Sequence, residues 1–268
     1  MSKVFVTAPA YITNKQLFDL AQNTLSSIQS AEHQLTGLLI WNGGPEQYAL
    51  QLQPQIRVLK NSRNCVARAW NLGILSGLKA GAEYVLIINL DVVLGPHTID
   101  RLVDFANAHP EAAFWTASNT ALEELEDPRK DTFDEHPDFS CFLVNAKTFQ
   151  VVGLFDENIF PAYFEDNDYH YRCHRQGVRA LKSAKATYHH IGSAVVKNDP
   201  IFFAKNASYY DGNRQYLIRK WGIDFHGRVW TPEEQLAEGY PTPYNNPALT
   251  IRDWFPMWED GLREAKLV

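Results

Sequence analysis

The 268-residue chain is predicted to adopt an α/β fold, a mostly parallel sheet flanked by helices. Three observations predict it. Strand-like and helix-like periodicities alternate through the first half of the chain. The strand-like runs are apolar throughout rather than alternating with polar residues. They end in turn residues or a lone acid, at Pro9, at Gly43 and Gly44, and near Asp91. Strands apolar on both faces need cover on both faces, as parallel sheets wrapped by helices have.

In order, VFVTAP reads as a buried strand ending at Pro9. The spacing then predicts a helix over 14–28, with Leu17, Leu20, Ala21 and Leu25 on one stripe. LTGLLIWNGG is a second strand, QIRVLK a third, and 66–80 a second helix. EYVLIINLDVVL reads as one long apolar strand carrying Asp91. TALEELEDPRKDTFDEHPD is polar and acidic with two prolines, and reads as a mobile loop. FSCFLVN is a strand, followed by a helix over 147–152; RALKS and ATYHHIG read as two short strands. From Trp230 the composition shifts to Pro, Trp and Tyr, which predicts an aromatic-rich C-terminal extension over 226–268, wrapped on the main domain or serving as a homodimer contact.

A hydrophobic share of 45% and a charged share of 21% belong to a soluble globular protein. The net charge of −6 argues against a nucleic-acid binder, which needs a basic face. Cys65, Cys141 and Cys173 form no CxxC pair, so a reducing cytoplasm is expected rather than a disulfide framework. MSKVFVTAPAY lacks the apolar stretch of a secretory signal, and no run approaches the roughly 20 apolar residues of a membrane span.

Several residues have a chemical reading beside a structural one. Asp91 sits in an apolar run, where it either caps a turn or points into the crevice at the strand ends and holds a cation. Asn64, Arg68 and Asn71 share one helical face, which is either solvated or turned toward a phosphate or sugar. His189 and His190 follow a strand; with Cys173 and His174 they match no common zinc spacing, so a hard, oxygen-preferring ion fits better. In YFEDNDYHYRCHRQG, Gly177 and the Asp168–Arg172 pair predict a helix over 167–176 with Asp166 at its N-cap and Glu165 just before it. These acids either cap helix amides or accept a proton from a substrate.

Taken in order from Val4 to Gly222, these segments resemble glycosyltransferase family 2, the inverting nucleotide-sugar transferases of GT-A fold, and within it a rhamnosyltransferase-like subgroup. NLDVVL stands where the Asp-x-Asp motif belongs, GLFDENIFPAYFED resembles the Gly-x-Phe-Asp-Glu segment and Glu-Asp motif, and ATYHHIGS resembles the late histidine segment. The resemblance implies a GT-A domain over 1–225, with a nucleotide-binding half (1–95) and an acceptor-binding half (96–225). It implies that Asp91, with His189 or His190, binds a divalent cation, Mn2+ or Mg2+, and that Asp166, beside Glu165, is the general base. Thr7, Pro9, Tyr11, Asn42, Arg68, Asn71 and Asn89 would meet the nucleotide. The implied partners are a nucleotide-diphosphate sugar donor and a glycan, glycolipid or glycoprotein acceptor, with cytoplasmic location, peripheral at the membrane where the acceptor is lipid-linked. Two departures stand out: Trp41-Asn42 replaces the family's Asp-Asn pair, and Asn89 replaces the first acid of Asp-x-Asp. The rivals are a sugar-nucleotide nucleotidyltransferase, whose Gly-rich basic loop is absent from TAPAYITN, and a non-catalytic sugar-binding module.

Overall fold

The apolar runs assemble side by side in a single mixed sheet. A computed structural model describes residues 1–125, 133–192, 194–225, 238–246, 248–264 and 266–267. The first half runs β1 (Lys3–Tyr11), α1 (Lys15–Ser26), β2 (Gln34–Gly43), α2 (Glu46–Leu52), β3 (Arg57–Lys60), α3 (Val66–Lys79) and β4 (Tyr84–Ile88). Strand β1 pairs in parallel with β2 and β4, and β2 with β3. Asn14 starts α1 by accepting the Leu17 amide at 3.0 Å.

The segment read as one long strand is two, β4 and β5 (Val92–Leu94), separated by a turn at Asn89, Leu90 and Asp91. The partners change there. The second half supplies α4 (Thr98–Ala108), β6 (Phe114–Asn119), β7 (Phe133–Asp134), β8 (Cys141–Val144), α5 (Ala146–Val151), α6 (Glu165–Arg175), β9 (Ala180–His190), α7 (Ala194–Asn198), α8 (Pro200–Trp221), α9 (Ile251–Glu264) and β10 (Lys266–Leu267). Strand β4 lies between β1 and β8, whereas among the described residues β5 pairs only with β9. The turn's backbone is satisfied by that second half: Asn89 N–H donates to the Ser140 carbonyl at 2.9 Å, and Ile191 N–H to the Asp91 carbonyl at 3.0 Å. Asp91 is thereby lifted out of the ladder.

Among the described residues the order is β10-β3-β2-β1-β4-β8-β6-β9-β5, with β7 also on β9. The two short strands expected over RALKS and ATYHHIG are one strand, β9, with an irregular register against β6 between Thr116 and Ser118. Ser183 accounts for it, since its hydroxyl accepts the Lys185 and Ala186 amides and breaks the ladder locally.

Both sheet faces are covered. Val4, Val6 and Leu86 pack with Leu17 and Phe18 of α1 and Leu102 of α4, while Phe5, Val85 and Ile87 pack with Trp70 of α3 and Phe149 of α5. This is the two-residue alternation of a strand buried on both sides. Within the stretch 120–138 expected to be a mobile loop, Leu122–Glu124 form a 3-10 turn and Phe133–Asp134 form β7, while 126–132 and the start of the extension at Trp230 lie outside the described residues. Further on, α9 docks on α3. Trp254 is buried on the sheet face that carries Trp70 and Phe149, Trp258 Nε1 donates to Ser76 Oγ at 3.1 Å, and Gly261 lies so close to Leu72 that a Cβ there would come within 2.7 Å of it. The three cysteines are free and buried.

Candidate active site

A cavity of about 480 Å³ lies beyond the carboxyl ends of β1, β2 and β4, lined by Pro9, Tyr11, Asn42 and Asn89 among others. Parallel strands deliver their ends to one side, so residues far apart in sequence meet there. Asp91, Glu165, Asp166 and His190 all face this cavity.

His190 Nε2 lies 3.2 Å from Asp91 Oδ1, and its Nδ1 lies 3.2 Å from Ser140 Oγ. The other Asp91 oxygen accepts the Ala194 amide at 3.2 Å. Burial pushes the Asp91 carboxyl up, but the hydrogen bond and charge of His190 outweigh it, so the net shift is downward. The same hydrogen bond raises His190, against burial. His189, one residue earlier on the strand, points to the other face and bonds the Thr120 carbonyl at 3.0 Å. The doubled histidine is thus resolved by strand alternation: His190 belongs to the cavity and His189 does not.

The donor set fits a hard divalent cation. One carboxylate and one imidazole nitrogen converge, and the second imidazole nitrogen is held by a hydroxyl, as ligating histidines require. Among the described residues no group of three or more His, Cys, Asp or Glu side chains could hold a metal by itself. A cation here would rely on substrate phosphates and water for its other positions, as Mg2+ sites usually do.

The acidic cluster is organised differently from the capping expectation. Helix α6 starts at Glu165, and its N-cap is Phe164, in the left-handed region at φ 77° with no side-chain cap bond. Tyr163 before it has φ 73°. Two consecutive left-handed non-glycine residues are strained, and such strain gathers at functional sites. Asp166 therefore lies inside the first turn, where its Oδ1 accepts the Asn167 amide at 2.8 Å. Glu165 is 6% exposed, and its Oε2 has no hydrogen-bond partner. Burial, with the charge of Asp166, pushes Glu165 up to about 8. Asp166 is also raised, by burial first and by the charge of Asp138. Carboxylates held reluctant to ionise beside a cavity are suited to taking protons.

Asp168, the third acid, is structural. Its Oδ1 accepts from Lys220 Nζ and Trp221 Nε1, each at 2.8 Å, and its Oδ2 from Arg172 Nε at 3.0 Å. Lys220 and Arg172 overcome burial and hold it below the usual carboxylate range.

Three of the expected nucleotide contacts are scaffold instead. Thr7 is buried, its hydroxyl donates to the Leu38 carbonyl at 2.9 Å, and a Cβ on Gly73 of α3 would meet that hydroxyl at 2.2 Å. Asn71 brackets Phe155, donating to its carbonyl and accepting its amide, both at 2.9 Å. Arg68 pairs with Glu157 at 3.1 Å and Glu264 at 2.6 Å, and its Nε bonds Asn61 at 3.2 Å. Asn61 in turn donates to Asn42 Oδ1 at 2.9 Å. Arg68 thus reaches the cavity through Asn61 and Asn42. Trp41 is buried in the core and cannot stack on a base.

Other lining residues escaped the sequence reading: Asp138, Ser140, Trp70 and Phe202. Asp138 lies within the stretch read as a polar loop, yet its charge is felt by both Asp166 and His190. Its nearness to the buried run FSCFLVN was the one available signal. Phe202 packs on Tyr11 with ring centroids 4.9 Å apart. The α7–α8 segment is tied down by Thr13, whose hydroxyl donates to Asp199 at 2.8 Å.

No protein-family model matches the chain. A galactofuranosyl glycosyltransferase of Leishmania donovani is 32% identical over 143 residues, covering 46% of this chain and 32% of the relative. The chain therefore spans about a third of the length of that curated relative. The crystal structure of GalNAc-T7 with UDP, GalNAc and Mn2+ matches with a TM-score of 0.54 at 10% identity, covering 70% of this chain and 44% of that one. The fold is GT-A-like: an α/β sheet flanked by helices. Among the described residues no helix is long and apolar enough to cross a membrane.

Proposed function

We propose that this chain is an inverting, metal-dependent glycosyltransferase that moves a single sugar from a nucleotide-diphosphate sugar to an acceptor hydroxyl. The observation that carries the reading is the joint one: the Asp91–His190 pair and the Glu165–Asp166 pair line the same cavity at the strand ends. The sequence likeness to a galactofuranosyl glycosyltransferase and the fold likeness to a protein crystallised with UDP, a sugar and Mn2+ support it.

In this reading Asp91 and His190 hold the divalent cation, which when bound would supply Lewis-acid charge at the diphosphate. Pro9, Tyr11, Asn42 and Asn89 form the nucleotide wall, and Arg68 keeps Asn42 in place through Asn61. Asp166 takes the proton from the acceptor hydroxyl as that oxygen attacks the anomeric carbon opposite the leaving group, which inverts the configuration. Glu165 lies beside it as a buried acid that holds its proton near neutrality. Residues 1–95 would then be the nucleotide half, 96–225 the acceptor half, and 226–268 an extension, with a glycan or glycoconjugate acceptor met in the cytoplasm.

Nucleotide release from UDP-, TDP- and GDP-sugars, UDP-galactofuranose included, tests this with Mn2+ or Mg2+ present and then chelated. Metal-dependent release from one donor is expected. Absence of both release and calorimetric binding across the panel would remove the reading.

A further inference from the structure

Three side chains from different parts of the fold meet around the ring of Phe160, at the rim of the cavity. Arg63, from the loop before α3, has its Cζ 4.8 Å from the ring centroid, and Lys205 of α8 has its Nζ 6.0 Å from it. Tyr209 completes the group, nearly perpendicular to the same ring with centroids 5.1 Å apart. Each chain segment carries the group to the cavity wall. Asn64 follows Arg63, Ala162 and Tyr163 follow Phe160, Phe202 precedes Lys205, and all four line the cavity. Phe202, Lys205 and Tyr209 are spaced by three and four residues, so they share one face of α8.

Both cations are exposed, and among the described residues neither takes part in an ion pair. The carboxylates of the neighbouring segments are committed elsewhere: Glu157 to Arg68 and Asn71, Asp199 to Thr13 and the Phe202 amide. Glu165 and Asp166 are buried and half-buried at the start of α6. Exposed Asp211, on the next turn of α8, lies on the far side of that helix from Phe202, Lys205 and Tyr209, where it acts on Arg214. Sitting over Phe160 occupies one flat face of the guanidinium and leaves its N–H edge, the edge that takes an oxyanion in two parallel bonds. The ring also holds Arg63 in place before a ligand arrives, so less freedom is lost on binding. Lys205 brings a second charge on a flexible stem. Two like charges gathered on one ring repel, and an anion between them replaces that repulsion with attraction.

We propose that Arg63 and Lys205, gathered on Phe160, form an anion-binding subsite for the acceptor, so that the sugar whose hydroxyl meets Asp166 carries a phosphate or carboxylate group. The shared chemistry is an oxyanion held by a guanidinium and an ammonium beside aromatic rings. Its assignment to the acceptor rests on the catalytic reading, in which the donor diphosphate belongs to Asp91 and His190 and the 160–166 stretch leads to the base. The anion site itself stands on the geometry.

The test compares probes that share one ring and differ in charge: galactose, galactose 6-phosphate and galacturonic acid. Their binding to the full chain is measured by calorimetry, first without nucleotide and then with UDP, TDP or GDP and Mg2+. At least one anionic sugar should bind about tenfold or more tighter than galactose, and the advantage should shrink as salt rises from ~0.05 to ~0.5 M. The larger gain tells phosphate from carboxylate. R63Q/K205Q should erase the advantage, whereas R63K keeps the charge and should lose only the share that the two-bonded edge supplies. Both side chains are exposed, so the melting temperatures of these variants should stay at the wild-type value. Equal binding of the three sugars at millimolar concentration, no binding of any, or an advantage that survives in R63Q/K205Q would overturn the proposal. So would displacement of the anionic sugar by the nucleotides, which would give the two cations to the donor. Metal-dependent nucleotide release without preference for an anionic sugar would remove this subsite and keep the catalytic reading. An anion preference erased by R63Q/K205Q, in a chain inactive on every nucleotide sugar, would do the reverse.

Discussion

Lys220 Nζ lies 2.8 Å from Asp168 Oδ1, and neither side chain has any solvent exposure. The same ammonium also meets Asp156 Oδ2 at 2.8 Å, so one cation from the end of α8 ties the first turn of α6 to the loop before it. That turn carries Glu165 and Asp166. The charge holding the catalytic candidates in place therefore comes from residues that do not line the cavity.

Removing it should be costly. Lys220→Met leaves two buried carboxylates facing each other and should destabilise by about 3–5 kcal/mol. Urea unfolding would measure this, and adding Asp168→Asn should recover part of the loss. A change under about 1 kcal/mol would mean that the pair is not a clamp.

Asp166→Asn and Glu165→Gln separate position from chemistry. Neither residue is the N-cap, and Asn at 166 keeps an oxygen for the Asn167 amide, so stability should be unchanged or improved at neutral pH. Asp166→Asn should lower kcat about 10²–10⁴-fold, the usual worth of a positioned base, while donor binding survives. Glu165→Gln should cost less. If Glu165→Gln is the dead variant and Asp166→Asn the live one, the base is Glu165.

Glu165 also predicts a pH dependence of stability. Its pKa is raised to about 8 in the folded protein by burial and by Asp166. The protonated form stabilises the fold; that contribution is complete below about 4.3, the unfolded value, and is lost as pH rises through about 8. The melting temperature of Glu165→Gln should therefore gain on the wild type between roughly pH 5 and 8. A constant gap across that range would exclude a buried, proton-holding Glu165.

The two histidines should behave differently. His190→Ala should weaken the Mn2+ response of nucleotide release at least about 10–100-fold, the loss seen even for residues supporting a metal ligand. His189→Ala should leave it near wild type, because that ring serves the Thr120 carbonyl. Equal effects, read from Mn2+ titrations of both variants, would reject the assignment.

The extension gives a packing test. Trp254 is buried against the α3 side of the sheet, so Trp254→Ala should cost about 3–5 kcal/mol. A chain ending at Gly222 should aggregate, since it bares the apolar surface that α9 covers. A soluble, monodisperse, active truncation would show that α9 is dispensable.

The sequence by itself determined the run β1, α1, β2, β3, α3 and β4 and the end of β2 at Gly43, because apolar runs and the glycines that stop them are local signals, whereas β1 continues through Pro9 to Tyr11 because Pro9 and Ala10 stay paired with β2. It also marked Asp91 and the Glu165–Asp166 pair, since acids among apolar or aromatic neighbours stand out without coordinates. Only the tertiary structure decided which of these residues meet. The break between β4 and β5 comes from a change of partner strand, to β9, nearly a hundred residues away, and no periodicity in VLIINLDVVL records it. His190 rather than His189 faces Asp91 because the register of β9 fixes which side each residue takes. Arg68 and Asn71 read as a ligand-facing stripe, yet Glu157, Glu264 and the Phe155 backbone claim them first. The α6 N-cap moved from Asp166 to Phe164 for a similar reason: Asp168, held by Lys220 and Trp221, fixes the first turn, and Glu165 follows it into the interior. Local pattern sets what each segment becomes; long-range pairing and competition for hydrogen-bond partners set which side chains are left for chemistry.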